Sequence, residues 1–156
     1  MSTSSSPGAK ARIPNPALEP LEFLVGEWRT EGTHPLVPGE ILHGRTWFDW
    51  HEGGAFLVMR SEVDHPQFPD GLAIVGSSDS GRAVMIYFDE RGVSRIYEVS
   101  VGDRSVAWRR EDPDFSQSTT IAAEGGRLVG TGRMTDESGA WVDDLSQVFV
   151  REGPEA

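Results

Sequence analysis

Leu21-Glu22-Phe23-Leu24-Val25-Gly26-Glu27-Trp28 is the stretch from which the fold is read. Leu18, Leu21 and Leu24 or Val25 recur at helical spacing, which predicts a short helix of about two turns over residues 17–25. Gly26 ends it, because glycine accepts the left-handed conformation in which helices often finish. Trp28 then opens a different pattern, and that change of period at Gly26-Glu27-Trp28 separates a short helical lead from everything that follows.

Downstream of Trp28 the chain reads as short strands of alternating character. They are expected near 28–34, 42–51, 55–64, 72–77, 83–89, 94–101, 105–110, 117–123, 127–134 and 141–151. The breaks carry turn chemistry: Glu52-Gly53-Gly54, Asp79-Ser80-Gly81, Glu90-Arg91-Gly92, Gly102-Asp103, Glu124-Gly125-Gly126 and Glu137-Ser138-Gly139. These segments supply positive-φ positions or Asx turns. No stretch has the length of a helical crossover, so a parallel sheet is excluded. About ten strands in one meander close on themselves, since an open sheet would leave two edges exposed. The expected fold class is therefore all-β: a closed antiparallel up-and-down barrel of about ten strands, its floor capped by the short N-terminal helix.

The bulk numbers agree with one domain. The chain has 156 residues, no cysteine and a formal net charge of -11. A chain of this length buries a core without staples. Disulfides and thiolate metal sites are excluded. So acidic a surface repels phosphate backbones and anionic lipid, which argues against nucleic acid and membranes as partners. Residues 1–16 are rich in Ser, Pro, Gly and Ala and are expected to be a disordered lead-in. They lack the apolar middle of a secretory signal, so the expected location is cytoplasmic. Residues 17–152 form the barrel domain, and 153–156 a frayed tail.

The apolar lead into Gly-x-Trp resembles the opening of calycin barrels: lipocalins, fatty-acid-binding proteins and their bacterial relatives. A closer likeness is to bacterial DUF1579-type barrels, and a more distant one to nitrobindin-like haem barrels. The matching pieces are Gly26-Glu27-Trp28, Gly32-Thr33-His34-Pro35, Gly53-Gly54-Ala55-Phe56-Leu57, Tyr87-Phe88-Asp89-Glu90-Arg91-Gly92-Val93 and Phe149-Val150-Arg151. The resemblance implies that Trp28, beside Gly26, closes the barrel floor and that Arg151 packs across it. A guanidinium can lie over an indole face and still bond backbone carbonyls. It also implies haem ligation by a histidine near the C-terminal strands. This chain departs there, with histidines only at 34, 43, 51 and 65. No cofactor is therefore expected, and haem is a minority alternative.

No phosphate loop, dinucleotide fingerprint, nucleophile elbow or His-Glu-x-x-His motif is present. Function must then come from side chains that alternate into the lumen. On 55–64, Phe56, Val58, Arg60 and Glu62 share one face, and Leu57, Met59, Ser61 and Val63 the other. If the first set is inward, Phe56, Val58 and Arg60 contact the ligand and Glu62 pairs with Arg60 inside. If it is outward, the charged pair is solvated. On 42–51, Leu42, Gly44, Thr46, Phe48 and Trp50 make the better core stripe. The opposite face holds His43, Arg45, Trp47, Asp49 and His51, where Asp49 and His51 are spaced for acid–base work but more often such a face is wet. Tyr87, Tyr97 and Trp108 are lumen candidates, with wall packing as the bland alternative. Arg95 and Arg109 read equally as inward anion anchors or surface charges. His65, in the Pro-bracketed loop 64–71, reads first as a turn element. No metal site is expected.

The leading expectation is a barrel that holds a small, largely hydrophobic molecule. The alternative is a cofactor-independent cyclase, isomerase or hydratase, with Asp49, His51, Glu62, Tyr87 and Tyr97 as its candidate catalytic residues. A homodimer through outward aromatics such as Trp47 is a further partner the pattern allows.

Overall fold

The computed structural model describes residues 13–153. Most of the expected lead-in, and residues 154–156 of the expected tail, lie outside the described residues. At the near end of the described chain, Asn15 donates its backbone amide to Gly54 O at 3.0 Å and its side-chain amide to Ser77 Oγ at 2.8 Å. The segment just before the barrel is thus tied to the floor.

Ten strands follow: β1 (Gly26–Thr33), β2 (Leu42–His51), β3 (Phe56–Val63), β4 (Gly71–Ser77), β5 (Ala83–Asp89), β6 (Ser94–Gly102), β7 (Ser105–Arg110), β8 (Gln117–Glu124), β9 (Arg127–Thr135) and β10 (Trp141–Arg151). Each pairs antiparallel with the next, and β10 returns to β1, so the sheet is a closed barrel in sequence order. Strand ends depart from the sequence expectation by no more than two residues. Among the described residues no helix is long and apolar enough to cross a membrane.

The N-terminal helix differs in kind from the one expected. It is a six-residue 3-10 helix, Glu19–Leu24, with Pro20 in its first turn. Leu18, Leu21 and Leu24 recur every third residue, which is the repeat of a 3-10 helix, so all three fall on one face. That face is buried and plugs the barrel floor.

Above the plug, the lower half of the barrel is solid. Trp28, Phe48, Leu57, Val75, Met85, Val106, Ile121, Leu128 and Phe149 form one buried cluster with the three leucines. The closing seam lies here. Trp28 and Arg151 are directly opposed across β1 and β10. The Arg151 guanidinium sits 4.2 Å over the Trp28 ring and donates to Val25 O at 2.9 Å. Trp28 Nε1 in turn donates to Leu24 O at 2.7 Å, joining the helix to the seam. Gly26 has φ +135, and a Cβ there would collide with the Arg151 guanidinium. Glycine is required here by conformation, and the room it leaves is where the guanidinium sits.

β10 is not regular. Its register with β9 shifts between Asp143 and Ser146, so that two residues, Asp144 and Leu145, oppose Gly132. This is a β-bulge, which re-aims side chains and bends a strand. A Cβ at Gly132 would lie 2.5 Å from Leu145 O and 3.3 Å from Asp144 Cβ, and one at Gly32, across the other edge, 2.7 Å from Ser146 O. Glycine on both neighbouring strands makes room for the bulge.

Candidate functional site

Side-chain alternation leaves a cavity of about 370 Å³ in the upper half of the barrel, opening at the end away from the 3-10 helix. Its apolar wall includes Met59, Val63, Met85, Trp108, Ile121, Met134, Leu145 and Phe149. Its polar wall is concentrated on one side, in a connected chain of hydrogen bonds. Tyr97 OH donates to Gln117 Oε1 at 2.6 Å, and Arg95 donates to the same oxygen at 3.2 Å. Gln117 Nε2 donates to Asp144 Oδ2 at 3.0 Å. Asp144 Oδ1 lies 3.0 Å from His34 Nε2 and accepts the Leu145 amide at 2.8 Å.

The histidine's tautomer follows from its partners. The Leu36 amide donates to His34 Nδ1 at 3.0 Å, so that nitrogen is a bare acceptor and Nε2 carries the proton toward Asp144. Both ring nitrogens are thus engaged. The Asp144 carboxylate meets three hydrogen-bond donors: the His34 ring, the Gln117 amide and the Leu145 backbone. Arg95 has the converse arrangement. It leans on Phe115, with its guanidinium 4.9 Å from the ring centre, and among the described residues forms no ion pair with a carboxylate.

A second cluster sits at the rim. Asp89 accepts from Tyr87 OH at 2.8 Å, from the Arg91 amide at 3.0 Å, and from the Arg91 guanidinium at 3.2 and 2.7 Å. The Arg91 hydrogen bonds, aided by Tyr87, hold the Asp89 carboxyl down at about 2. The Tyr87 hydroxyl is pushed well above its ordinary value, first by burial and then by donating to Asp89. Tyr97 is also raised, chiefly by burial. Two loops complete the mouth. His34 and His65 both meet Phe68 edge-on, at 5.2 and 5.3 Å between ring centres. His65 repeats the His34 pattern, its Nδ1 accepting the Gln67 amide and its Nε2 lying 3.3 Å from Glu40.

The structure divides the sequence candidates cleanly. Tyr87, Tyr97 and Trp108 line the cavity. Phe56, Val58 and Arg60 do not, and this corrects their assignment to the ligand. The phase of β3 is set by Leu57, which is fully buried, so Leu57, Met59, Ser61 and Val63 turn inward and the alternate set faces out. Glu62 goes with that outer set, in an exposed pair with Arg60 at 3.8 Å. Asp49 and His51 are likewise on the outer face of β2, opposite the core stripe of Leu42, Thr46 and Phe48. They form no acid–base pair over the cavity. Arg109 is exposed and pairs with Glu111 outside. Trp47 is half-buried, with Arg60 stacked at 5.4 Å.

The residues not singled out from sequence are His34, Gln117 and Asp144. Gln117 and Asp144 are polar residues at strand positions beside an apolar stripe, which is a faint signal. Asp144 could not be placed inward by strict alternation from Phe149, because counting in twos selects Asp143. The bulge shifts the phase by one, so that Asp143 turns out to Arg133, at 2.8 Å, and Asp144 turns in.

No protein-family model matches the chain, and no curated protein matches its sequence. Solved structures do. A crystal structure of Rv2717c from M. tuberculosis superposes with a TM-score of 0.65 at 17% identity, covering 88% of this chain and 98% of that one. A structure of EF1p2_mFAP2b bound to DFHBI matches at 10% identity and TM-score 0.46, over 90% of this chain and 100% of that one. A redesigned β-barrel, b11L5F_LGL, matches at 11% identity and TM-score 0.41, over 92% and 100%. At these identities the likeness is one of fold, and it is the first of the three that carries it: the chain is a closed ten-stranded antiparallel β-barrel.

Proposed function

We propose that this barrel binds a small amphipathic molecule, with the apolar body against Met59, Met85, Trp108, Ile121 and Phe149 and an acidic or carbonyl group at Arg95. The single observation that carries this is the Arg95 guanidinium. It faces an apolar-walled cavity, is propped by Gln117 and Phe115, and lacks a carboxylate partner among the described residues. A fork donor held in this way recognises a carboxylate or carbonyl oxygen. At about 30 Å³ per non-hydrogen atom, the share of a water in the liquid, a cavity of about 370 Å³ takes roughly a dozen such atoms. The calycin kinship and a cytoplasmic location belong to the same proposal, supported by the Trp28–Arg151 floor and the absence of cysteine. Haem stands outside it, because both nitrogens of the cavity histidine are already engaged.

The test is calorimetric titration with a medium-chain carboxylic acid and its matched alcohol. Saturable binding of the acid is expected, weakened at least tenfold by Arg95→Gln, while alcohol binding changes little. No binding of either compound, or an acid affinity indifferent to Arg95→Gln, overturns the proposal. Haemin in the same series should give no Soret shift.

A second reading, cofactor-independent proton transfer, draws on the His34–Asp144 pair facing the same cavity. It requires the Leu36 amide to leave His34 Nδ1 before that nitrogen can accept a proton. His34→Gln abolishing turnover of a candidate substrate while sparing its binding would support this reading.

A further inference from the structure

The outer wall of β3–β6 carries apolar side chains where an acidic barrel has no internal use for them. The register is direct. Val58, Ile74, Ile86 and Ile96 stand opposite one another across four successive strands. Above that row Leu72 faces Phe88, and below it Phe56 lies against Gly76. Phe56, Leu72, Ile74, Ile86, Phe88 and Ile96 are 39–67% exposed. At about 150 Å² per side chain, the low end for a large apolar group, these six leave about 400 Å² of apolar surface open, and Val58 and Trp47 add to it.

From this we infer that the β3–β6 face is the interface of a homodimer, closed by a second copy of the same chain. Area favours that occupant. A standard interface buries about 800 Å² per partner, and homodimer interfaces are about 65% apolar, so each copy must supply about 500 Å² of apolar surface. Charge favours it too. On a molecule of formal charge -11, the edges of this face carry both signs: Asp49, Arg60 and Glu62 at the β3 side, Glu98, Arg109 and Glu111 at the β6 side. A basic or acidic partner would want one sign along the rim. A two-fold axis running along the strands between β4 and β5 instead sets the β3 side of one copy against the β6 side of the other. Ile74 of each copy then meets Ile86 of its mate, an isologous contact. The chain's own residues 1–12 are poor occupants, because Met1 is their one large apolar side chain. Trp47, the outward aromatic of β2, lies beside the patch under Arg60 and contributes to its rim.

Light scattering on the full-length chain tests this. The expected mass is about twice 17.1 kDa at micromolar concentration, with the dimer tightening as salt rises, because two acidic copies repel at low ionic strength. Ile86→Glu should give a monomer. Ile96→Glu, at the most exposed position of the patch, should weaken the dimer at least tenfold with the circular dichroism spectrum unchanged. Thr131→Glu, on the outer face of β9, should leave it intact. A monomeric wild-type protein at ~100 µM, well above the concentration a specific interface of standard size needs, overturns the inference. So does a dimer that survives both isoleucine variants, since it would use another face. Dimerisation that appears only after deletion of residues 1–12 also overturns it, by showing that this segment occupies the patch. None of these variants touches the cavity, so failure here leaves the ligand proposal standing.

Discussion

Residues decide the electrostatics of the barrel mouth. Asp89 carries four hydrogen bonds on a carboxylate whose side chain is buried, and its pKa of about 2 lies below the ordinary 3.8. A depressed carboxylate stabilises the fold above its unfolded value, and that contribution is lost as pH falls from about 4 towards 2. Asp89→Asn should therefore cost about 1–3 kcal/mol at neutral pH, read from urea midpoints. The gap between variant and wild type should close as the melts are repeated toward pH 2. The tyrosines give the converse test. Tyr87 and Tyr97 are the chain's two tyrosines, and both are raised. The native protein should show less phenolate absorbance near pH 10 than the unfolded chain, which is half ionised there. Because the unfolded state then binds fewer protons than the native one, stability should fall as pH rises past about 10. A phenolate rise on the folded protein that matches the unfolded chain for both tyrosines would contradict these raised values.

At the scale of an element, β10 is the informative strand. Its bulge turns Asp144 into the lumen, and Gly132 is the condition for the bulge. Gly132→Ala places a Cβ against backbone that cannot yield cheaply, so an overpacking cost of about 1–3 kcal/mol is expected. The more specific outcome is at the site. The Asp144 links to His34 and Gln117 should loosen, and Arg95 with them, so carboxylate affinity should fall further than stability alone explains. Calorimetry on the folded variant reads this, and unchanged affinity would detach the bulge from the site. The same element shows why the site was half legible. Tyr87, Tyr97 and Trp108 lie on regular strands, where period two assigns each to one face and leaves only the sign of that face to be decided. Asp144 lies past an extra residue, and no local signal announces that residue.

Across the whole molecule, the barrel depends on one seam joining its first and last strands. Trp28 is buried beneath Arg151 and bonded to the 3-10 plug, so it links three regions of the chain. Trp28→Ala should cost about 3–5 kcal/mol, as for large aromatic truncations in cores, and an unchanged melting temperature would contradict the role of the seam.

The sequence by itself determined the strands, their turns and the closure. These follow from local chemistry: alternation of apolar residues, glycines at positive-φ turns, and a meander with no crossover. The Trp28–Arg151 floor came from the resemblance to calycin barrels. The sequence also named Tyr87, Tyr97 and Trp108. Only the tertiary structure decided which way β3 faces, and it sent Phe56, Val58 and Arg60 outward. Alternation gives two faces but not their sign. The sign comes from which set the neighbouring strands and the plug can bury, and Leu57 won that contest. The same long-range packing gathered His34, Gln117 and Asp144 from three distant segments, a meeting set by register and by a bulge rather than by spacing along the chain.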